Sequence, residues 1–91
     1  MAYVIVNLKI TPEGIEANLE KIKEEAVKKI EEFGGKVGKT EEVPVAFGLK
    51  SVNITFSMNE EKGGTEPLEE QIKTIEEVQN VQVLSVSRAL G

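Results

Sequence analysis

The sequence predicts an α+β fold, a four-stranded antiparallel sheet in the order βαββαβ with two helices on one face. Three observations carry this. Residues 51–58 alternate strictly, with Val52, Ile54, Phe56 and Met58 on one side and Ser51, Asn53, Thr55 and Ser57 on the other. That is the two-residue period of a half-buried strand. Residues 3–10 repeat the pattern, with Val4, Val6, Leu8 and Ile10 on one side and Tyr3, Ile5, Asn7 and Lys9 on the other. Finally, two segments, Leu19 to Phe33 and Leu68 to Ile75, carry apolar residues at three- and four-residue spacing, the signature of a helix with one buried stripe.

Taken in order, residues 3–10 form the first strand, a central one. Two starts compete for the helix that follows. Thr11-Pro12 suits a cap and first helical position, but Gly14 is a poor first-turn residue, and Asn18 is the preferred cap. Leu19, Ile22, Ala26, Ile30 and Phe33 form the buried stripe, Glu and Lys fill the outward face, and Gly34-Gly35 stop the helix. Glu20 with Lys23, Glu24 with Lys28, and Glu25 with Lys28 and Lys29 are expected surface pairs, each worth about 0.2–0.5 kcal/mol. The second strand, Lys36 to Val43, is polar, is interrupted by Gly38 and ends at Pro44, which are edge-strand traits.

Pro44 to Lys50 reads as a shaped corner. Pro44 cannot donate to a ladder, Gly48 permits backbone conformations closed to other residues, and Phe47 lies between them. Phe47 either protrudes there or folds back into the core, as most aromatics do. The third strand follows, then a turn over Asn59 to Gly64. Thr65 caps a second helix whose first turn holds Glu66, Glu69 and Glu70 where the helix dipole favours them. Leu68, Ile72 and Ile75 are its buried stripe. Asn80 breaks the pattern and Val81 to Arg88 form the last strand, with Val81 and Val83 on one face and Leu84 and Val86 on the other. Two successive βαβ halves with right-handed crossovers make a ferredoxin-like sandwich, with the first and third strands in the middle. The polar sides of those two strands then form an open sheet face.

Composition bounds the function. Ninety-one residues suit one domain, 1–91, with a single core. There is no cysteine for a disulfide or thiolate, no apolar run long enough for a membrane span, and no signal-peptide pattern in the N-terminal segment. A soluble, cytoplasmic protein is expected. The net charge is -5; every acid is Glu, and every base except Arg88 is Lys, a bias shared with proteins of high-temperature organisms. An acidic balance argues against nucleic-acid binding, which depends on clustered cations. The absence of His, Cys and Asp removes most general bases, thiol nucleophiles and transition-metal ligands, so the chain is not expected to be an enzyme or to hold a cofactor or metal. Glu60-Glu61 is more simply a solvated turn than a cation site. Lys62-Gly63-Gly64-Thr65 lacks the spacing of a phosphate loop. RNA-recognition domains of this topology stack bases on central-strand aromatics, and here only Tyr3 is available.

The corner Pro44-Val45-Ala46-Phe47-Gly48-Leu49-Lys50, the acidic turn Asn59 to Thr65 and the helix Leu68-Glu69-Glu70-Gln71-Ile72 stand in order along the chain. Together they resemble the archaeal elongation factor 1-beta family, over essentially the whole chain, and the C-terminal exchange domain of the eukaryotic factor. The resemblance implies a guanine nucleotide exchange factor for elongation factor 1-alpha, the GTPase that delivers aminoacyl-tRNA. It would promote GDP release and GTP reloading as a monomer, by binding alone. It places partner contacts at Phe47, Gly48, Lys50 and Arg88, with Arg88 standing where the eukaryotic domain has a lysine that reaches toward the magnesium site. Two features depart from the eukaryotic pattern: Arg replaces that Lys, and Ala89-Leu90-Gly91 extend the chain beyond it. From the residues alone, Arg88 could equally be a solvated charge closing an edge strand. The whole chain could likewise be a small regulatory or protein-interaction module without exchange activity, since fold does not dictate function.

Overall fold

The computed structural model describes residues 3–45, 48–62 and 64–89. Its elements are β1 (Tyr3–Pro12), α1 (Leu19–Phe33), β2 (Lys36–Pro44), β3 (Lys50–Asn59), a single 3-10 turn (Glu60–Lys62), α2 (Glu66–Lys73) and β4 (Val78–Ala89). The sheet order is β2-β3-β1-β4 and each neighbouring pair is antiparallel. This is the ferredoxin-like α+β arrangement, with the two most apolar strands in the centre. Val6, Leu8 and Ile10 of β1 and Val52, Ile54, Phe56 and Met58 of β3 meet Ile22, Ala26 and Ile30 of α1 and Leu68 and Ile72 of α2 in one buried cluster. Each Val, Leu, Ile, Phe or Met side chain among them, once removed from water, contributes about 1.5–3 kcal/mol.

Local chemistry explains most boundaries. Asn18 caps α1, its Oδ1 accepting from the Lys21 N–H at 3.2 Å. At the other end Gly34 adopts φ 103° and the Gly35 N–H reaches back to the Ile30 carbonyl at 2.9 Å, a left-handed closure that favours glycine. Gly35 is also where backbone meets core: a Cβ there would stand 2.8 Å from Ile30 Cγ2 and 3.1 Å from Phe56 Cδ2. β2 is an edge strand, and Gly38 is the extra residue that its ladder with β3 skips between Val37 and Lys39. On the same strand the Glu41 carboxylate, 2.6 Å from Lys39 Nζ, accepts its hydrogen bond and holds the amine above the usual lysine value.

Several expectations are corrected. β1 continues past residue 10 to Pro12, and β4 begins at Val78, with Asn80 inside it opposite Thr11. The ladder offered by the extended β1 outweighs the weak strand preference of Asn80. Leu84 is an inserted residue, since Val83 faces Leu8 while Ser85 faces Asn7. The insertion resets the two-residue period, so Val86 sits opposite buried Val6 and shares its side of the sheet with Val81 and Val83. Ser51 lies on the polar side of β3, yet it is 1% exposed. Its hydroxyl is 3.4 Å from the Val43 carbonyl and 3.3 Å from Asn53 Oδ1, and its single proton serves one of them. Thr65 holds the cap position of α2 but makes no cap bond. Its backbone is already helical, and its hydroxyl donates to Glu69 Oε2 at 3.0 Å instead. α2 ends at Lys73, so Ile75 is buried by the turn that follows the helix. Of the expected pairs on α1, only Glu20–Lys23 forms, at 3.4 Å. Exposed lysines gain too little from a fixed geometry for the others to hold.

Candidate functional site

The residues singled out in the sequence fall at opposite ends of the sheet. Gly48 and Lys50 belong to the corner between β2 and β3, where Pro44 pairs with Lys50 and the Val45 N–H donates to the Leu49 carbonyl at 2.8 Å. Arg88 belongs to the other end, in a row with Val4 and Met58. From Lys50 to Met58 is about 26 Å of strand at ~3.3 Å per residue, in a molecule whose longest dimension is 42 Å. Among the described residues, no single pocket therefore gathers them. Phe47 lies outside the described residues.

At the corner, Gly48 has φ 81° and a Cβ built on it would meet Ile15 Cγ2 at 3.8 Å. Ile15 comes from the loop between β1 and α1, a segment braced by Glu77: the Glu13 N–H donates to the Glu77 carbonyl at 2.7 Å and the Asn18 N–H to its Oε2 at 2.9 Å. The brace holds Ile15 69% exposed beside the corner, whose Val45 is 49% exposed. Beside Ile15 a shallow cavity of about 270 Å³ is lined by Leu19, Glu42, Gly48 and Lys50 among others. Sequence reasoning passed over Ile15. The available signal was an isoleucine in Pro12-Glu13-Gly14-Ile15-Glu16 with no periodic partner, which no predicted element accounted for.

At the far end, Arg88 is 68% exposed, and its Nη2 donates to Glu60 Oε2 at 2.8 Å. Glu60 opens the 3-10 turn that leaves β3, and the turn is pinned by the Asn59 side chain, whose Oδ1 accepts from the Glu61 N–H at 2.9 Å. The sequence showed both residues but gave no reason to join them, because they are 28 positions apart and meet only through the sheet register.

A third feature is the open face of the sheet, where a groove of about 350 Å³ runs over the Gly38 bulge beside Ile5, Thr55 and Ser57. Tyr3 and Ile5 are 49% and 40% exposed there. Among the described residues no group of three or more acidic side chains is arranged to hold a metal ion, no buried side-chain polar atom lacks a partner, and no helix is long and apolar enough to cross a membrane. What these surfaces offer chemically is contact: a braced corner with exposed Ile15 and Val45 at one end and an anchored guanidinium at the other.

By fold, the chain is similar to the ACT domain from GTP pyrophosphokinase of Chlorobium tepidum, with a TM-score of 0.60 at 16% identity over 88% of this chain and 96% of that one. It is equally similar to the C-terminal domain of the MgtC protein from Mycobacterium tuberculosis, with a TM-score of 0.61 at 12% identity over 98% and 88%. At these identities the likeness concerns the fold alone. By sequence, the chain is 42% identical over 88 residues to elongation factor 1-beta of Methanosarcina acetivorans, covering 97% of this chain and 99% of that protein. It is 44% identical over 89 residues to elongation factor 1-beta of Metallosphaera sedula, covering 97% of each. The family model for the EF-1 guanine nucleotide exchange domain matches residues 5–89. With that match spanning the sheet, both helices and both ends of the molecule, this chain belongs to the EF-1 guanine nucleotide exchange domain family.

Proposed function

We propose that residues 1–91 act as one exchange domain that accelerates release of GDP from elongation factor 1-alpha and so allows GTP to load. The observation that carries this reading is the family match over residues 5–89. The chain's chemistry agrees with it, since the lack of His, Cys and Asp removes most general bases and every thiol nucleophile and leaves a surface suited to binding. In such GTPases the phosphates are held by a P-loop and a magnesium ion. A partner that disturbs either lowers nucleotide affinity, and by linkage the nucleotide lowers the partner's affinity to the same degree. The protein acts as a cytoplasmic monomer, is not itself an enzyme, and engages neither membrane nor nucleic acid.

Phe47, Gly48, Lys50 and Arg88 are the contacts assigned to the GTPase. Because Lys50 and Arg88 stand at opposite ends of β3 and β4, a partner touching both must run along the length of the sheet. The test is release of fluorescent GDP from elongation factor 1-alpha with and without this protein. Release accelerated in proportion to protein concentration supports the reading. Release unchanged across a wide concentration range refutes it and leaves a small interaction module as the better account.

A further inference from the structure

The contact between Arg88 and Glu60 stands apart from the other ion pairs that join distant parts of the chain. It is 2.8 Å long, whereas Lys21–Glu76 and Lys23–Glu42 are 3.9 and 4.0 Å. Its two halves are also unequal: the Glu60 side chain is 36% exposed and the Arg88 side chain 68%. Glu60 is the stationary partner, because β3 ends directly before it and Asn59 ties the turn through the Glu61 N–H. Arg88 is a long side chain on an edge strand, held in the row Met58, Val4, Arg88. Only Nη2 contacts the carboxylate, and a guanidinium has five donors in a rigid fork.

We propose that Glu60 is a positioning residue: its carboxylate clamps one edge of the Arg88 guanidinium and presents the remaining donors outward to the GTPase. This rests on the reading of Arg88 as a partner contact. The physical basis is preorganisation. An unclamped arginine must surrender rotamer freedom when it engages the GTPase in the step that expels the nucleotide, whereas one already held along one edge has surrendered part of it in the free protein. The clamp need not break, because the fork can accept a second anionic group on donors that Glu60 does not use. A carboxylate that fully enclosed the guanidinium would compete with the partner instead. The exposure of Arg88 and its one-point contact favour presentation over sequestration.

The test compares four proteins, wild type, Glu60→Gln, Arg88→Ala and the double variant, by the plateau rate of fluorescent GDP release from elongation factor 1-alpha at saturating protein. Glu60→Gln is expected to slow the plateau about three- to fivefold, or roughly 0.6–1 kcal/mol at 1.36 kcal/mol per tenfold. In the Arg88→Ala background it should add nothing. A plateau at or above the wild-type rate for Glu60→Gln overturns the proposal, as does an equal loss in the Arg88→Ala background. A role confined to stability would lower Tm and leave the plateau rate of the folded protein unchanged, which also overturns it. Arg88→Ala at the wild-type rate would refute the Arg88 contact itself, and is thus distinguishable from failure of the Glu60 proposal alone.

Discussion

Gly48 offers the sharpest separation of backbone strain from packing. With φ 81° it occupies the left-handed region, and among the described residues a Cβ there would meet nothing nearer than Ile15 Cγ2 at 3.8 Å, an ordinary van der Waals contact. Gly48→Ala therefore adds no clash with the described residues, and its cost is the conformational penalty of a side chain in that region, about 1–2 kcal/mol. In a chain of this size 1 kcal/mol moves Tm by about 4–8 °C, so a drop of roughly 4–16 °C is expected in thermal unfolding followed by circular dichroism. Gly48→Asn should recover part of the loss, since a short polar side chain tolerates the left-handed region better than Ala. A Tm for Gly48→Ala within 2 °C of wild type, about 0.5 kcal/mol or less, would show that the corner relaxes freely and that glycine is not required for its shape. An Asn variant worse than Ala would point to sterics in place of φ.

Gly35→Ala should fail for the opposite reason, because its Cβ would stand 2.8 Å from Ile30 Cγ2 and 3.1 Å from Phe56 Cδ2; denaturant unfolding should show a loss of about 1–3 kcal/mol from overpacking, unrelieved by Asn. Asn18→Ala removes the cap bond to Lys21 and should cost about 1 kcal/mol, measured as a lower denaturant midpoint at unchanged slope. Phe47→Ala separates two roles: an interface anchor loses about 2 kcal/mol of binding to the GTPase with little change in stability, whereas a core residue loses about 3–5 kcal/mol of stability, and binding measured beside thermal unfolding distinguishes them. Arg88→Ala should shift stability by about 1 kcal/mol or less, the scale of an exposed pair, yet slow GDP release about tenfold, or ~1.4 kcal/mol.

The elements that sequence reading placed well are those whose signals are local. Asn18 and Gly34 bound α1 in the structure as they do in the sequence, because a cap and a left-handed closure depend on atoms within five residues of one another. The alternation in β1 and β3 needs nothing beyond the pleat, and both strands are central and buried on the predicted side. Thr65 shows where such signals mislead. It has the right side chain in the right position, but its helical backbone turns the hydroxyl to Glu69. At Asn80, a residue with weak strand preference became a strand residue once β1 supplied a ladder reaching Pro12.

Composition and periodicity were enough to specify the class of fold, most of the buried stripes of both helices and the lack of His, Cys and Asp. Those properties follow from the repeat geometry of helix and strand and from which side chains are present at all. Register was not legible, because the bulges at Gly38 and Leu84 arise from how neighbouring strands align. Everything that register controls was hidden with it: Val86 opposite Val6, Arg88 brought to Glu60 from 28 positions away, Gly48 and Arg88 carried to opposite ends of the sheet, and Ile15 held exposed by Glu77 from across the fold. Such contacts depend on closing long loops and aligning whole strands, and no window of sequence contains the energies that decide them.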